Sequence, residues 1–323
     1  MGDLPPHLWH ESFVREGAKK TGGPNLRLLR LAPDEPANTV TAYIFNKFVH
    51  PDEDRYITPR EAARLQQFPD EHEFHGPITH VQMQIGNAVP VGLAKAVAGH
   101  IRSKLSQPEN EGKPEAISLF SGAGGLDLGM QEHFSIRYAN ELNASAAATL
   151  RANFPEAEVI EADVSSLSGD DFAMAKRPKL VFGGPPCQPF SAAGKQHGVS
   201  DSRGALVSEF LRLVGEIGPD YFVMENVPGL VSNAGGGAMK FIESRASEEG
   251  YRTEHYILDA TRYGVPQRRR RLFIFGQKKE LHTHIGAPED THFDPGEGDT
   301  HLFLPPCLTV REAFEGLPPA NDR

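Results

Sequence analysis

Between residues 116 and 276, short apolar runs alternate with segments of helical period, the pattern of a β-α-β chain. Ala116 to Phe120 reads as a strand, followed by the turn Ser121-Gly122-Ala123-Gly124-Gly125 and a helix starting over Leu126 to His133. Ile136 to Ala139 predicts a second strand, Ala144 to Asn153 a helix, and Val159-Ile160-Glu161 a third strand. Leu180 to Phe182 predicts a fourth, stopped by Gly183-Gly184-Pro185-Pro186. Leu206, Phe210, Leu213, Val214 and Ile217 fall near helical spacing and predict an amphipathic helix over 206–217. Tyr221 to Met224, Tyr256 to Leu258 and Leu272 to Phe275 complete the strands. Such alternation predicts a largely parallel sheet with helices on both faces.

Outside this core, caps mark three helices. Thr58-Pro59-Arg60-Glu61 combines a Thr cap, Pro at the first helical position and Glu at the third. Thr309-Val310-Arg311-Glu312 repeats the capping box, with Gly316 as its stop, and Pro90 starts a small-residue helix over Val91 to Ile101. Ser106 to Pro114 is polar and rich in breakers, the clearest linker.

Composition narrows the class. The 323 residues are 39% hydrophobic and 24% charged, as in an ordinary globular protein. No run approaches about 18 apolar residues, so no membrane span is expected, and Met1 to Pro6 lacks the features of a signal peptide. Two cysteines fit a reducing cytoplasm. The net charge of −10 argues against a protein that simply coats nucleic acid, yet leaves room for a locally basic cleft. Residues 277–323 hold nine Asp/Glu against four Lys/Arg, whereas Arg268 to Arg271 is a basic run entering a strand. His282, His284, His292 and His301 match no standard zinc spacing, so no metal is expected.

Candidate chemistry gathers where open α/β sheets build their sites, at the carboxyl ends of strands. Cys187 follows the rigid Gly-Gly-Pro-Pro turn and reads either as a nucleophilic thiolate or as a small buried hydrophobe. Gly122 and Gly124 let a ligand approach the backbone, although the pattern is not the full dinucleotide fingerprint. Glu141 ends the second strand and Asp163 follows the third, suited to ribose hydroxyls and an adenine amino group, or else ordinary loop acids. Glu225 ends the fifth strand, beside the strand that leads to Cys187; a thiol that adds to a ring and an acid that protonates a ring nitrogen would suit each other. Strand alternation places Arg269 and Arg271 on one side, two guanidinium groups for a ring oxygen and a phosphate.

Together these stretches resemble the C5-cytosine DNA methyltransferases over roughly residues 31–323. Ala116 to Gly129 is similar to the cofactor loop, Pro185-Pro186-Cys187-Gln188 to the catalytic loop, and Glu225-Asn226-Val227 to the acid motif. Asp201 to Gly204 is similar to the end of the mobile loop, and Tyr263 through Gly276 to the arginine motif. Arg55 to Pro69 and Gln84 to Pro90 resemble the last two motifs. The resemblance implies a Rossmann-like, S-adenosylmethionine-dependent methyltransferase fold: α/β, doubly wound and mostly parallel, with a small target-recognition region. It implies catalytic roles for Cys187, Glu225, Arg269 and Arg271. It implies cofactor contacts from Phe120, Gly122, Gly124, Gly125, Glu141, Asp163, Pro185 and Asn87, and DNA contacts from Gln188, Ser191 and Arg203.

The motif order departs from the family, because the last two motifs precede the cofactor loop, so the chain is expected to be circularly permuted. The expected organisation is a part of the target-recognition region with the Thr-Pro-Arg-Glu helix in 1–78, the Gly-Asn motif helix in 79–101, and a join in 102–115. The catalytic domain follows in 116–276 and the rest of the target-recognition region in 277–323. The expected substrate is a cytosine flipped from double-stranded DNA in a cytoplasmic, nucleoid-associated setting of restriction-modification or defence. The acidic C-terminal half makes a helper subunit conceivable. An RNA cytosine-5 methyltransferase and a non-catalytic adenosine-ligand or DNA-binding protein are the alternatives; the former usually carries a Cys-Phe-Thr signature absent here.

Overall fold

The computed structural model describes residues 28–42, 47–106, 112–186, 204–297, 303–318 and 320, with backbone alone at 233–234. The chain divides into two compact units, one of Met1–Gly92, Ala260–Arg269 and Asp290–Arg323, the other of Leu93–Asp259 and Arg270–Glu289.

The second unit is built on seven strands: β1 Glu115–Leu119, β2 Ser135–Asn140, β3 Glu158–Ile160, β4 Leu180–Gly183, β5 Tyr221–Asn226, β6 Tyr251–Asp259 and β7 Arg270–Lys278. Their order in the sheet is β3-β2-β1-β4-β5-β7-β6. The first five are parallel, and β7 lies antiparallel between β5 and β6. The reversal of direction on either side of β1 and β4 opens a crevice at their carboxyl ends. β4 and β5 are buried along their whole length, as expected of central strands covered on both faces.

Two amphipathic helices, Ala205–Ile217 and Gly237–Glu248, share a core with the sheet through Val207, Phe210, Leu213, Met239 and Ile242 against Ile117, Val181, Phe222 and Ile274. The first stops at Gly218, whose left-handed φ of 68° caps it. The helix Val91–Lys104 packs its Ala94 against the short helix Gly125–Met130 so closely that a Cβ on Gly129 would stand 2.3 Å from the Ala94 Cβ.

The first unit carries the two capping boxes as expected, at Thr58 for Pro59–Leu65 and at Thr309 for Val310–Phe314. The stretch expected as one Gly-Asn motif helix in 79–101 holds two helices, Ile78–Asn87 and Val91–Lys104, with Ala88 to Pro90 between them. The interior of this unit ties polar side chains to backbone. Gln267 accepts from Val40 N–H at 2.8 Å and donates to Leu65 carbonyl and Gln66 Oε1. Buried Glu61 takes both guanidinium nitrogens of Arg55.

The two units divide the chain differently from the expected domain boundaries. Residues 277–289 belong with the sheet because β7 runs on to Lys278 and the loop beyond is pinned there, with Ile285 and Gly286 N–H donating to Glu254. Residues 260–269 belong to the first unit because Gln267–Arg268 pairs with Ala37–Asn38. The break near residue 92 falls inside the helix expected to end one domain, and that helix continues to Lys104, into the expected join.

Candidate active site

Three neighbouring strand ends in the second unit carry Phe120, Gly122, Gly124, Gly125, Glu141 and Asp163 of the predicted cofactor residues. After β1 the chain turns at Phe120, which holds a left-handed φ of 55°, rare for a side chain of this size. Gly122 and Gly124 follow at 58° and 81°. A Cβ on Gly124 would strike the Phe154 ring at 2.4 Å, so the turn can pack only with glycine there. Gly125 then opens a helix whose six residues are all buried.

Glu141, at the end of β2, ties this turn down: Gly122 N–H donates to Oε2 and Asn143 N–H to Oε1, each at 2.8 Å. Each oxygen retains a second lone pair for a ligand. Asp163, beyond β3, is exposed and caps a short turn, accepting from the Ser165 N–H and hydroxyl through Oδ1. Those bonds hold its carboxyl below the usual range, so it is anionic at neutral pH. Among the described residues nothing lies within 4 Å of where a Cβ on Gly122 would stand. A glycine turn with two carboxylates on the adjoining strand ends fits an adenosine-bearing cofactor.

The acid half of the site lies at β4, β5 and β7. Glu225 is the penultimate residue of β5 and is almost fully buried. β7 runs antiparallel beside it and delivers Arg271, whose Nε stands 2.9 Å from Glu225 Oε1. Burial lowers the Arg271 pKa and Glu225 offsets part of that, leaving a guanidinium that is charged at any working pH. Across the β4–β5 ladder, Pro185 is buried and its carbonyl accepts from Asn226 Nδ2 at 3.0 Å. Cys187, Gln188, Ser191 and Arg203 lie outside the described residues.

Arg269 does not join Arg271 on one face. The alternation expected of a continuous strand fails because the strand is interrupted: Gln267–Arg268 is one segment and β7 starts at Arg270. The Arg269 carbonyl accepts from Ala260 N–H, and its fully buried guanidinium donates to the carbonyls of Val40, Gly86 and Ala88 at 2.6–2.9 Å. Its guanidinium ties together backbone within the first unit. Asn87 is exposed at the end of Ile78–Asn87 in the same unit. Among the described residues there is no cluster of three or more metal-type side chains, and no helix is long and apolar enough to cross a membrane.

Sequence reasoning passed over one acid. Asp127, in the first turn of Gly125–Met130, is fully buried, with no close hydrogen-bond partner on either oxygen although Ser118 stands beside it. Burial pushes its pKa up to about 7. An acid in a first helical turn ordinarily reads as an exposed partner of the helix dipole, so the sequence carried no sign of it.

Comparison with known proteins agrees with this geometry. The sequence model of the C-5 cytosine-specific DNA methylase family matches residues 9–103 and 115–304. Type II methyltransferase M.AquIA of Picosynechococcus sp. is 42% identical over 223 residues, covering 64% of this chain and 89% of that protein. M.NgoPII of Neisseria gonorrhoeae is 36% identical, covering 57% of this chain and 54% of that protein; M.PspPI of Psychrobacter sp. is 44% identical, covering 52% and 41%. The chain thus spans most of the first relative and about half of each of the other two. A prophage-encoded Escherichia coli protein described as a DNA modification methyltransferase superposes with a TM-score of 0.52 at 33% identity, over 64% of this chain and 56% of that one. With a matched family model over most of its length, a seven-stranded sheet of this order and the Glu225–Arg271 pair at its strand ends, the chain belongs to the C-5 cytosine-specific DNA methylase family.

Proposed function

We propose that the chain transfers a methyl group to C5 of a cytosine flipped out of double-stranded DNA, within a restriction-modification or defence system. The observation that carries the reading is the buried Glu225 held at 2.9 Å by Arg271 beside the turn that leads to Cys187. A stacked cytosine hides its ring edge, so the base must leave the duplex to meet these groups. The cofactor, S-adenosylmethionine, supplies an electrophilic methyl group when bound; Phe120, Gly122, Gly124, Gly125, Glu141, Asp163, Pro185 and Asn87 are its proposed contacts.

The residues divide the work. The Cys187 thiolate forms a bond to C6, pushing electron density toward C5 and N3. Glu225 gives or shares a proton at N3, so that the ring does not accumulate negative charge. Arg271 orients that carboxyl and reaches the O2 oxygen. After transfer, loss of the C5 proton returns its electron pair to the ring and breaks the C6–S bond. Gln188, Ser191 and Arg203 are proposed to contact the DNA.

The order of motifs supports a circular permutation, with the join in 102–115, a stretch that includes the gap between the two family-matched blocks. The acidic C-terminal half of the target-recognition region, residues 277–323, supports a helper subunit for sequence reading. The RNA alternative shares Pro186-Cys187-Gln188-Pro189-Phe190, but its usual Cys-Phe-Thr signature is absent from this chain.

The test is bisulfite sequencing of DNA from a methylation-free host expressing the chain, paired with 5-fluorocytosine DNA in vitro. The expected result is methylated cytosine in a defined context and a denaturation-resistant, S-adenosylmethionine-dependent adduct, lost in Cys187→Ala and retained in Cys307→Ala. Full methylation by Cys187→Ala would refute the mechanism.

A further inference from the structure

The reading above requires two separate strand ends to address one ring: β5 brings the acid, and the turn after β4 leads to the nucleophile. The β4–β5 ladder stops short of both. Its last pair is Gly183 with Met224, one residue before Glu225. Continuation by backbone is blocked, because Pro185 and Pro186 have no N–H to donate. Asn226 bridges the gap with its side chain. Its Nδ2 donates to the Pro185 carbonyl at 3.0 Å, in a buried setting, and its Oδ1 accepts from Val227 N–H at 2.9 Å. The second bond fixes the amide rotamer, so the first can point only at Pro185.

Gly184 performs the complementary task. A Cβ there would stand 3.0 Å from Glu225 Oε2, closer than nearly all real Cβ contacts. The other oxygen, Oε1, is engaged by Arg271. The carboxylate therefore sits between a guanidinium and a missing side chain, and a Cβ at 184 would press Oε2 aside by a few tenths of an ångström, against the grip of Arg271 on Oε1.

We infer that Asn226 and Gly184 are positioning residues: the Asn226 amide holds the Pro185 carbonyl beyond the last ladder pair and so anchors the turn ahead of Cys187, and Gly184 leaves the space in which the Glu225 carboxyl meets the base. This rests on the methyltransferase reading.

Asn226→Asp separates the role from mere packing. Aspartate is nearly isosteric and still accepts from Val227 N–H, but once ionised it cannot donate to Pro185. The rate of covalent adduct formation on 5-fluorocytosine DNA, measured at saturating S-adenosylmethionine, is expected to fall at least about tenfold at alkaline pH with little change in the KM for DNA. The deficit relative to wild type should narrow as pH falls, because the substituted carboxyl, once protonated, donates again. Calorimetric affinity for S-adenosylmethionine should fall far less than the adduct rate, since Gly122, Glu141 and Asp163 sit on other strand ends and only Pro185 among the proposed cofactor contacts is touched. Gly184→Ala, a second and independent variant, should show the same split of a lost rate with retained cofactor affinity. An adduct rate within about twofold of wild type in either folded variant, or an Asn226→Asp deficit that does not change with pH, would overturn the proposal. Absence of any adduct from the wild type would instead refute the methyltransferase reading, and this proposal with it.

Discussion

Asp127 offers a test in which charge alone is removed. Its carboxyl is sealed inside a helix buried on all sides, and burial raises its pKa from an ordinary 3.8 to about 7, the Ser118 hydroxyl opposing the shift and Glu141 adding to it. The folded state therefore holds the proton more tightly than the unfolded chain does. Stability is unaffected by this group below about pH 3.8, falls as pH rises from there toward 7, and remains at the lower level above it. Asp127→Asn deletes that dependence. Three pH units at about 1.36 kcal/mol each put the full penalty near 4 kcal/mol as a ceiling, of which roughly 2–3 kcal/mol accrues between about pH 5 and pH 8. At about 2–4 °C per kcal/mol for a unit of this size, the gap in Tm between variant and wild type should widen by up to about 5–10 °C across that range. Thermal melts at the two pH values measure it. The asparagine amide brings its own burial cost, but that cost does not vary with pH, so the widening is the diagnostic and not the absolute Tm. A gap that stays constant or shrinks from acid to alkaline pH would refute the account of Asp127 as a buried, proton-holding acid.

Two further outcomes are expected. Arg269→Met should lower stability by at least about 3 kcal/mol, because three buried carbonyls lose their donor. It should leave the salt dependence of DNA binding unchanged, whereas a phosphate-contacting arginine would give a normal melt and a shallower salt slope. Cutting the chain within 104–114 and joining Arg323 to Met1 through a short linker should give a protein that folds and binds S-adenosylmethionine; failure over several linker lengths would argue against a permuted domain.

The central sheet was legible because its strands are short apolar runs closed by breakers, and a buried parallel strand has no other way to appear in a sequence. Phe182 and Met224 end such runs at the positions that the sheet then uses, within a residue or two. Elements of the first unit were harder to see, for a packing reason. The helix Ile78–Asn87 contains Gly86, which reads as a breaker, yet a Cβ there would stand 2.2 Å from the Thr41 backbone. The glycine is demanded by a neighbour 45 positions away in sequence, and no local pattern can report it. Arg269 failed for a related reason. Period-two alternation assumes an unbroken strand, and the interruption between Arg268 and Arg270 depends on partners at Ala37–Asn38 and Asp259.

The candidate site divides along the same line. Residues whose chemistry is their own, such as Glu225, Glu141 and Asp163, could be chosen by type and by place at a strand end. Residues whose contribution is relational could not. Arg271 was chosen for a ring oxygen, and its grip on Glu225 appears only once β7 is known to run antiparallel beside β5 and to bring the two side chains within 2.9 Å. Asn226 reads as a polar spacer until the prolines at 185 and 186 are seen to end the ladder it bridges. Gly184 reads as a turn glycine until the carboxylate 3.0 Å from its absent Cβ is in view. The placement of Glu225 is thus a property of three strands at once: the strand that carries it, the antiparallel neighbour whose Arg271 pairs with it, and the parallel neighbour that leaves room for it.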